Sequence, residues 1–151
     1  MATRPDICSA VIELSKHLES PTHLHLQQSK RVLRYLAGTQ GEGINFEKGG
    51  ELSITTFSDS DWAGCRKTRK SVSGFVVYLG KTPISWKSKT QPTVALSSCE
   101  AEYVALSITV KEILWITQFF KEVGHDLELP IFIFGDNTAA IAFNSKRPCS
   151  P

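Results

Sequence analysis

The spacing of hydrophobic residues changes near residue 42, and the change predicts two parts of the chain. Before it, Val32, Leu33 and Leu36 lie among glutamines and arginines at helical spacing. The stretch GTQGEG (38–43) places three glycines within six residues, which is typical of a linker. We therefore predict a helical segment over residues 1–42 and a separate domain over residues 43–151.

Beyond residue 43, short apolar runs separated by turn residues predict β-strands. A capping box formed by Ser97 and Glu100 predicts a long helix after the third strand, and DNTAAIAF (136–143) predicts another helix after the fourth. A helix between two strands of one sheet implies a crossover and at least one parallel strand pair. The pattern predicts an α/β fold, a mixed sheet with flanking helices. The four runs are LSITTF (52–57), GFVVYLG (74–80), PISWKS (83–88) and IFIF (131–134).

Composition excludes several classes of protein but does not identify one. Hydrophobic residues make up 41% of the chain and charged residues 21%, as in ordinary globular domains, and a net charge of +2 does not indicate a polyanionic partner. The four cysteines lack metal-ligand spacing, so we expect reduced thiols and an intracellular site of action. No run approaches the roughly 20 apolar residues that span a bilayer, and the N-terminus lacks a secretory pattern. We therefore expect no transmembrane segment and no visible signal peptide.

Three acidic residues fall where the predicted elements would bring them together. Asp59 ends the first strand, Glu102 lies one turn into the long helix, and Asp136 follows the last strand. If these strands are parallel neighbours, their ends meet at the sheet edge where α/β folds bind ligands. Three carboxylates suit Mg²⁺ or Mn²⁺, and two such ions would promote phosphodiester cleavage. The alternative is that each acid caps a turn or a helix, as we expect for Asp61 and Glu100.

A basic run directly after the first acidic motif indicates contact with a nucleic-acid backbone. RKTRK (66–70) carries four positive charges in five residues, and an aromatic side chain between lysines would pack on a sugar or base. The alternative is an ordinary solvated loop. The predicted nucleic-acid contacts are Arg66, Lys67, Arg69, Lys70, Trp86, Lys87 and Lys89.

Several stretches together resemble the ribonuclease H domain of copia-type retrotransposon polyproteins, from about Thr3 to Asn144. The resemblance implies a ribonuclease H-like fold and two-metal cleavage of RNA in an RNA–DNA hybrid. It also implies that Asp59, Glu102 and Asp136 bind the metal. The matching stretches are SDSDWAG, KSVSGFVVYLGKTPISWKSKTQPTVALSSCEAEYVAL and GDNTAAIAF, while TRPDI and KRVLRYLAGT resemble the preceding end of a reverse transcriptase.

The final residues of the sequence depart from this family pattern. Copia-type domains carry a fourth acid, preceded by a histidine, shortly after the match to Asp136. Here no acid follows Asp136 and no histidine follows His125, so the resemblance implies a C-terminally truncated domain. We therefore expect weak or absent cleavage and leave open whether the chain is an enzyme. We also expect an unpaired strand at the edge of the sheet, which favours association.

A second resemblance concerns Arg31, Val32, Leu33 and Arg34, which match the RxLR motif of secreted oomycete effectors. The chain also resembles copia-derived chains among those effectors. This implies a secreted virulence protein that acts in the cytoplasm or nucleus of host plant cells. It would bind a host protein, suppress defence or cell death, and need no cofactor. In the alternative interpretation RVLR is ordinary copia sequence, in which Val32, Leu33 and Leu36 form helix core and the arginines are solvated.

Overall fold

The chain divides into two units, Met1–Phe46 and Glu47–Pro151. The structure is a computed structural model, and it describes residues 3–46, 48–49, 52–65, 68–138 and 140–141. The division lies a few residues beyond the predicted boundary at residue 42.

The first unit contains a short 3₁₀ turn, Pro5–Ile7, and two helices, α1 (Cys8–Ser15) and α2 (His23–Gly38). A capping box opens α2, in which Thr22 and His25 each use a side chain to bond the other's backbone.

The RxLR-like tetrapeptide lies within α2. Arg31 and Arg34 are exposed, and Val32 is half-buried. Leu33 is 64% exposed, so its predicted position in a helix core is wrong. The reason is that α1, with eight residues, covers only part of α2.

The second unit is built on a four-stranded mixed sheet with the order β3-β2-β1-β4. The strands β1, β2 and β3 are antiparallel neighbours, and β4 runs parallel to β1. The predicted order of three strands, a helix and a strand, and the predicted parallel pair, are confirmed. The strands are β1 (Ile54–Asp61), β2 (Val72–Leu79), β3 (Thr82–Thr90) and β4 (Phe132–Phe134).

The first strand is longer than its apolar run predicts. Asp59 and Asp61 pair with Gly74 and Val72 of β2, so β1 continues four residues beyond Phe57. The pairing extends the strand because polar residues can alternate between a buried and an exposed face as apolar ones do. Asp59 therefore lies inside β1 and not at its end.

A long helix, α3 (Ser98–Glu122), packs on one face of the sheet against β1 and β2. One half of its predicted capping box is present, because the Glu100 N–H donates to Ser97 Oγ at 3.1 Å. The Glu100 carboxylate accepts from the N–H of Leu96, the residue before the cap, at 2.7 Å. Beyond its end, Gly124 has a φ of +80°, a left-handed conformation that suits glycine after a helix. The buried residues of α3 are Ala101, Glu102, Ala105, Thr109, Ile113 and Ile116.

Among the described residues, α3 is the one helix long and apolar enough to cross a membrane by length and composition alone, with a mean hydropathy of 1.2 over its best window. The expectation that no segment reaches this level is therefore not confirmed. Apolar residues lie on both faces of α3, since Leu114 and Trp115 are each 63% exposed, while Ala105, Ile113 and Ile116 are buried. A core helix of a folded domain passes the same test, and 22% of the residues in this window are buried.

Candidate metal centre

The three predicted acids converge at one edge of the sheet. Each of Asp59, Glu102 and Asp136 offers a carboxylate oxygen, and these oxygens lie within 4.8 Å of one another. Glu102 is buried, whereas Asp59 and Asp136 are exposed. Within the part of the chain that the structure describes, this is the one group of three or more potential metal ligands.

The parallel pairing of β1 and β4 brings the two aspartates together. Phe57 of β1 pairs with Phe134 of β4. Because the strands run in the same direction, the residues two positions further along, Asp59 and Asp136, emerge side by side.

Glu102 reaches the same point from the helix above the sheet. Its carboxylate accepts a hydrogen bond from the Ser60 N–H at 3.1 Å, which fixes it over the end of β1. Burial raises the pKa of Glu102, the hydrogen bonds from Ser60 oppose this, and the negative charges of Asp59 and Asp136 raise it further. A cation among the three acids would remove both unfavourable effects.

Helix and turn capping do not account for this group. Asn137, and not Asp136, caps the helical turn that follows β4, since its side-chain oxygen accepts from the Ala140 N–H at 3.0 Å. Asp61 and Glu100 have local contacts outside this group. The Glu100 carboxylate accepts from the Leu96 N–H just before α3, and the Asp61 carboxylate fills the space that a Cβ at Gly64 would occupy.

The donor set fits a hard divalent cation. All three ligands are carboxylates, and Mg²⁺ and Mn²⁺ prefer oxygen donors, whereas structural zinc sites use cysteine and histidine.

The loop that carries part of the predicted nucleic-acid interface lies at the same edge as the acids. It joins the end of β1 to the start of β2 and contains Arg69, which is exposed, and Lys70, which is half-buried. Arg66 and Lys67 lie outside the described residues.

The remaining predicted contacts occupy opposite faces of β3. Lys87 and Lys89 pair with Phe75 and Ser73, whose side chains face α3, while Trp86 pairs with Val76 on the other face. Side chains alternate along a strand, so Trp86 and the two lysines lie on opposite faces of β3. The two lysines are exposed and lie two strands from Asp59, about 10 Å across the sheet.

Sequence reasoning missed the buried polar residues beneath the acids. Thr56 and Ser58 of β1 are 0% and 4% exposed, and Gln91, which follows β3, is 2% exposed. A signal was present in β1, where Thr56 and Ser58 continue the alternation that begins with the buried Ile54. Inward-facing threonine and serine in a core strand indicate hydrogen bonding to an element above them.

The chain is similar to retrotransposon Pol polyproteins and to a secreted effector protein. The chain is 49% identical over 138 residues to the retrovirus-related Pol polyprotein from transposon RE1 of Arabidopsis thaliana, which covers 91% of the chain and 9% of that protein. It is 38% identical over 146 residues to the Pol polyprotein from transposon TNT 1-94 of Nicotiana tabacum, covering 96% of the chain and 11% of that protein. It is 46% identical over 117 residues to the secreted RxLR effector protein 161 of Plasmopara viticola, covering 78% of the chain and 82% of that protein.

The chain belongs to the copia-type retrotransposon Pol family. It spans about a tenth of the length of the Pol polyproteins that it matches. No family model matches the chain. One solved structure with a similar fold is that of LC11-RNase H1 in complex with an RNA/DNA hybrid, with a TM-score of 0.47, 13% identity and coverage of 66% of this chain and 65% of that one.

Proposed function

We propose that Asp59, Glu102 and Asp136 bind Mg²⁺ or Mn²⁺ and that the domain acts on the phosphodiester backbone of RNA in an RNA–DNA hybrid. The observation that carries this proposal is the convergence of the three carboxylates within 4.8 Å at the sheet edge. The substrate class is taken from the resemblance of SDSDWAG and GDNTAAIAF to the copia-type ribonuclease H domain. When bound, the metal would activate a water and stabilise the leaving oxygen.

The protein's own contribution is to hold the carboxylates in place and to shield one of them, that of Glu102, from solvent. The Ser60 N–H holds Glu102, and burial keeps this ligand from being solvated by water. The pKa of Glu102 is raised mainly by that burial, so metal binding at low pH must displace a proton from it. The two exposed aspartates can adjust to the ion and the substrate.

The basic side chains around the acid edge favour a polyanionic substrate. Arg69 and Lys70 lie in the loop beside the end of β1, and Lys87 and Lys89 lie two strands away. Contacts of this kind bind phosphates without reading sequence, and we expect the affinity for a hybrid to fall steeply with salt concentration.

The test is Mn²⁺ binding, measured by titration calorimetry, together with cleavage of a labelled hybrid. We expect Asp59→Asn, Glu102→Gln and Asp136→Asn each to weaken Mn²⁺ binding by at least about 100-fold. Asp61→Asn is the matched control, because Asp61 lies two residues from Asp59 but outside the group of three. Equal Mn²⁺ affinity for all four variants and the unchanged chain would contradict the proposal. The cleavage assay also tests the prediction of weak or absent activity.

The second candidate is an effector function in host plant cells, in which the chain is secreted and suppresses host defence or cell death by binding a host protein. The observation that favours it is the 46% identity to the secreted RxLR effector protein 161 over 82% of that protein. Arg31 and Arg34 of the RVLR stretch are exposed on α2, so a receptor could reach both arginines.

This candidate is tested by expressing the chain in leaf tissue with a cell-death elicitor. Suppression that survives the double change Asp59→Asn and Asp136→Asn would favour binding over catalysis. Absence of suppression with a panel of elicitors would contradict the effector function and leave the metal site unaffected.

A further inference from the structure

A glutamine beside the acid site is almost completely buried and connects three parts of the domain. Gln91 is 2% exposed. Its amide nitrogen donates to Ser73 Oγ of β2 at 2.8 Å and to the Ala101 carbonyl of α3 at 2.9 Å. Its backbone N–H donates to the Ser71 carbonyl, at the end of the loop before β2, at 2.8 Å. One residue thus joins β2, the loop at the acid edge and the first turn of α3.

The chemistry of these contacts requires an amide at this position. A backbone carbonyl only accepts hydrogen bonds, so the amide nitrogen of Gln91 must face Ala101. The amide oxygen is then buried without a hydrogen-bond partner among the described residues, which is rare in folded proteins. Methionine would fill a similar volume and leave no such oxygen. The two donated hydrogen bonds are therefore what glutamine adds.

These hydrogen bonds act on the residue next to a metal ligand. Ala101 immediately precedes Glu102, so the position of its carbonyl determines where the Glu102 side chain begins. The other buried helix positions at this level, Ala101 and Ala105, are 0% and 1% exposed. Their methyl groups can lie close to the sheet but cannot interlock with it, so side-chain packing leaves the rotation of this turn weakly fixed.

We propose that Gln91 is a positioning residue for the metal centre. It holds the first turn of α3 against β2, so that the Glu102 carboxylate meets the Ser60 N–H and the two aspartates. This inference rests on the proposed metal-binding function, and it adds a residue that contacts none of the three acids in any described hydrogen bond.

The experiment compares Mn²⁺ affinity with folding stability in the whole 151-residue chain. We expect Gln91→Met to raise the dissociation constant for Mn²⁺ about tenfold, as loss of an outer partner of a metal ligand does. The matched control is Ile116→Val, which weakens packing of the same helix at its other end. This control should lower the urea midpoint and leave the dissociation constant unchanged. The Mn²⁺ dissociation constants of both variants are measured at a temperature where circular dichroism shows each variant folded.

A second variant keeps the test decisive if Gln91→Met does not fold. Ser73→Ala removes the acceptor on β2 and leaves the bond to Ala101, so we expect about a threefold rise in the dissociation constant, smaller than for the loss of both bonds. An unchanged Mn²⁺ affinity in the folded Gln91 variant, or in Ser73→Ala when that is the variant that folds, would overturn the positioning role. Failure of the unchanged chain to bind Mn²⁺ would instead overturn the proposed metal site.

Discussion

The two halves of the contact between α3 and the sheet are built from different kinds of residue. Towards the other end of the sheet, large apolar side chains form a buried cluster of Ile54, Phe75, Val77 and Ile116, in which Phe75 borders the polar half because it pairs with Ser58. Beneath the acids, the same strands and the same helix present small and polar side chains. These are Thr56, Ser58, Ser73, Ala101, Ala105 and Thr109, all at most 4% exposed.

The difference follows from what each half has to do. Apolar burial is non-directional, so the apolar half stabilises the domain without fixing the helix to a fraction of an ångström. Hydrogen bonds depend on distance and angle. Thr109 Oγ1 is hydrogen-bonded to Ser58 Oγ at 3.0 Å across the interface and donates to the Ala105 carbonyl of its own helix at 2.9 Å. A metal centre requires ligands placed to within about 0.5 Å. The polar half supplies this placement at a cost, since Thr56 Oγ1 is buried without a described partner.

The largest expected effect is on stability, from a change in the apolar half. Phe75→Ala removes a buried ring and should lower the free energy of unfolding by about 3–5 kcal/mol, as measured by urea denaturation. Phe75→Leu preserves more volume and should cost about 1 kcal/mol, which makes it the variant for metal titration. We expect its Mn²⁺ affinity to equal that of the unchanged chain. A marked loss of affinity would contradict the separation of the two halves.

A substitution in the polar half should lower stability less than Phe75→Ala does, but it should change the affinity for metal. Thr109→Val keeps the shape and removes the hydroxyl that bonds Ser58 and Ala105, so the free energy of unfolding should fall by about 1–2 kcal/mol. We also expect Mn²⁺ to bind about 3-fold more weakly, less than the roughly 10- to 100-fold loss for direct partners of a ligand, because Thr109 contacts none of the three acids in a described hydrogen bond.

Thr117→Val provides the control for this substitution. Thr117 Oγ1 donates to the Ile113 carbonyl of its own helix at 2.8 Å, a bond that holds α3 to no strand. We expect a change within about 0.5 kcal/mol and an unchanged affinity for Mn²⁺. Equal effects of the two threonine substitutions would show that the bond across the interface has no special role.

Local patterns in the sequence were sufficient to predict the apolar half and the order of the elements. The run GFVVYLG and the capping box at Ser97 depend on nearest neighbours along the chain, and both became the expected elements. The acids at 59, 102 and 136 were identified because strand ends and a helix start locate them. Their convergence also required β1 and β4 to be neighbours, which the crossover pattern favoured but did not determine.

The polar half was not predicted, because its residues have no local pattern that identifies their partners. Gln91 is separated by 18 residues from Ser73 and by 10 from Ala101, and glutamine after a strand ordinarily indicates a solvated loop. The extension of β1 through Asp61 was missed for a related reason. It depends on pairing with β2, and the residues themselves are typical of a turn.

Glu102 is the charged member of the polar half, and its burial predicts a pH-dependent stability. A raised pKa means that the folded state binds the proton more tightly than the unfolded state. The associated stability is present below the unfolded pKa and is lost as the pH rises through the folded pKa. Without metal, we therefore expect Glu102→Gln to raise the Tm at neutral pH by about 2–4 °C, with the gain disappearing in acid.

Bound metal should reverse the order of the two Tm values, those of the unchanged chain and of Glu102→Gln. Mg²⁺ stabilises only the form that binds it, so at saturating Mg²⁺ the unchanged chain should melt above Glu102→Gln. The control is Glu112→Gln, on the same helix, where Ser85 Oγ donates to the side chain at 2.7 Å and an amide oxygen can accept equally well. The assignment of Glu102 as a ligand would be contradicted if Mg²⁺ reversed the order of Tm values for Glu112→Gln. It would also be contradicted if Mg²⁺ did not reverse the order for Glu102→Gln.

The smallest expected effect concerns the backbone of the loop at the polar end. Ala63 has a φ of +52°, in the left-handed region that costs a residue with a Cβ about 1 kcal/mol. Ala63→Gly should therefore raise stability, but by no more than about 0.5 kcal/mol, because glycine also makes the unfolded chain more flexible. Gly64→Ala, at the next position, should instead lower stability, since it places a Cβ on the Asp61 carboxylate. Chemical denaturation of both variants distinguishes the causes. Opposite signs at neighbouring residues would show that backbone conformation and close contact set this loop, whereas a gain at both would mean that the Asp61 carboxylate is not held against Gly64.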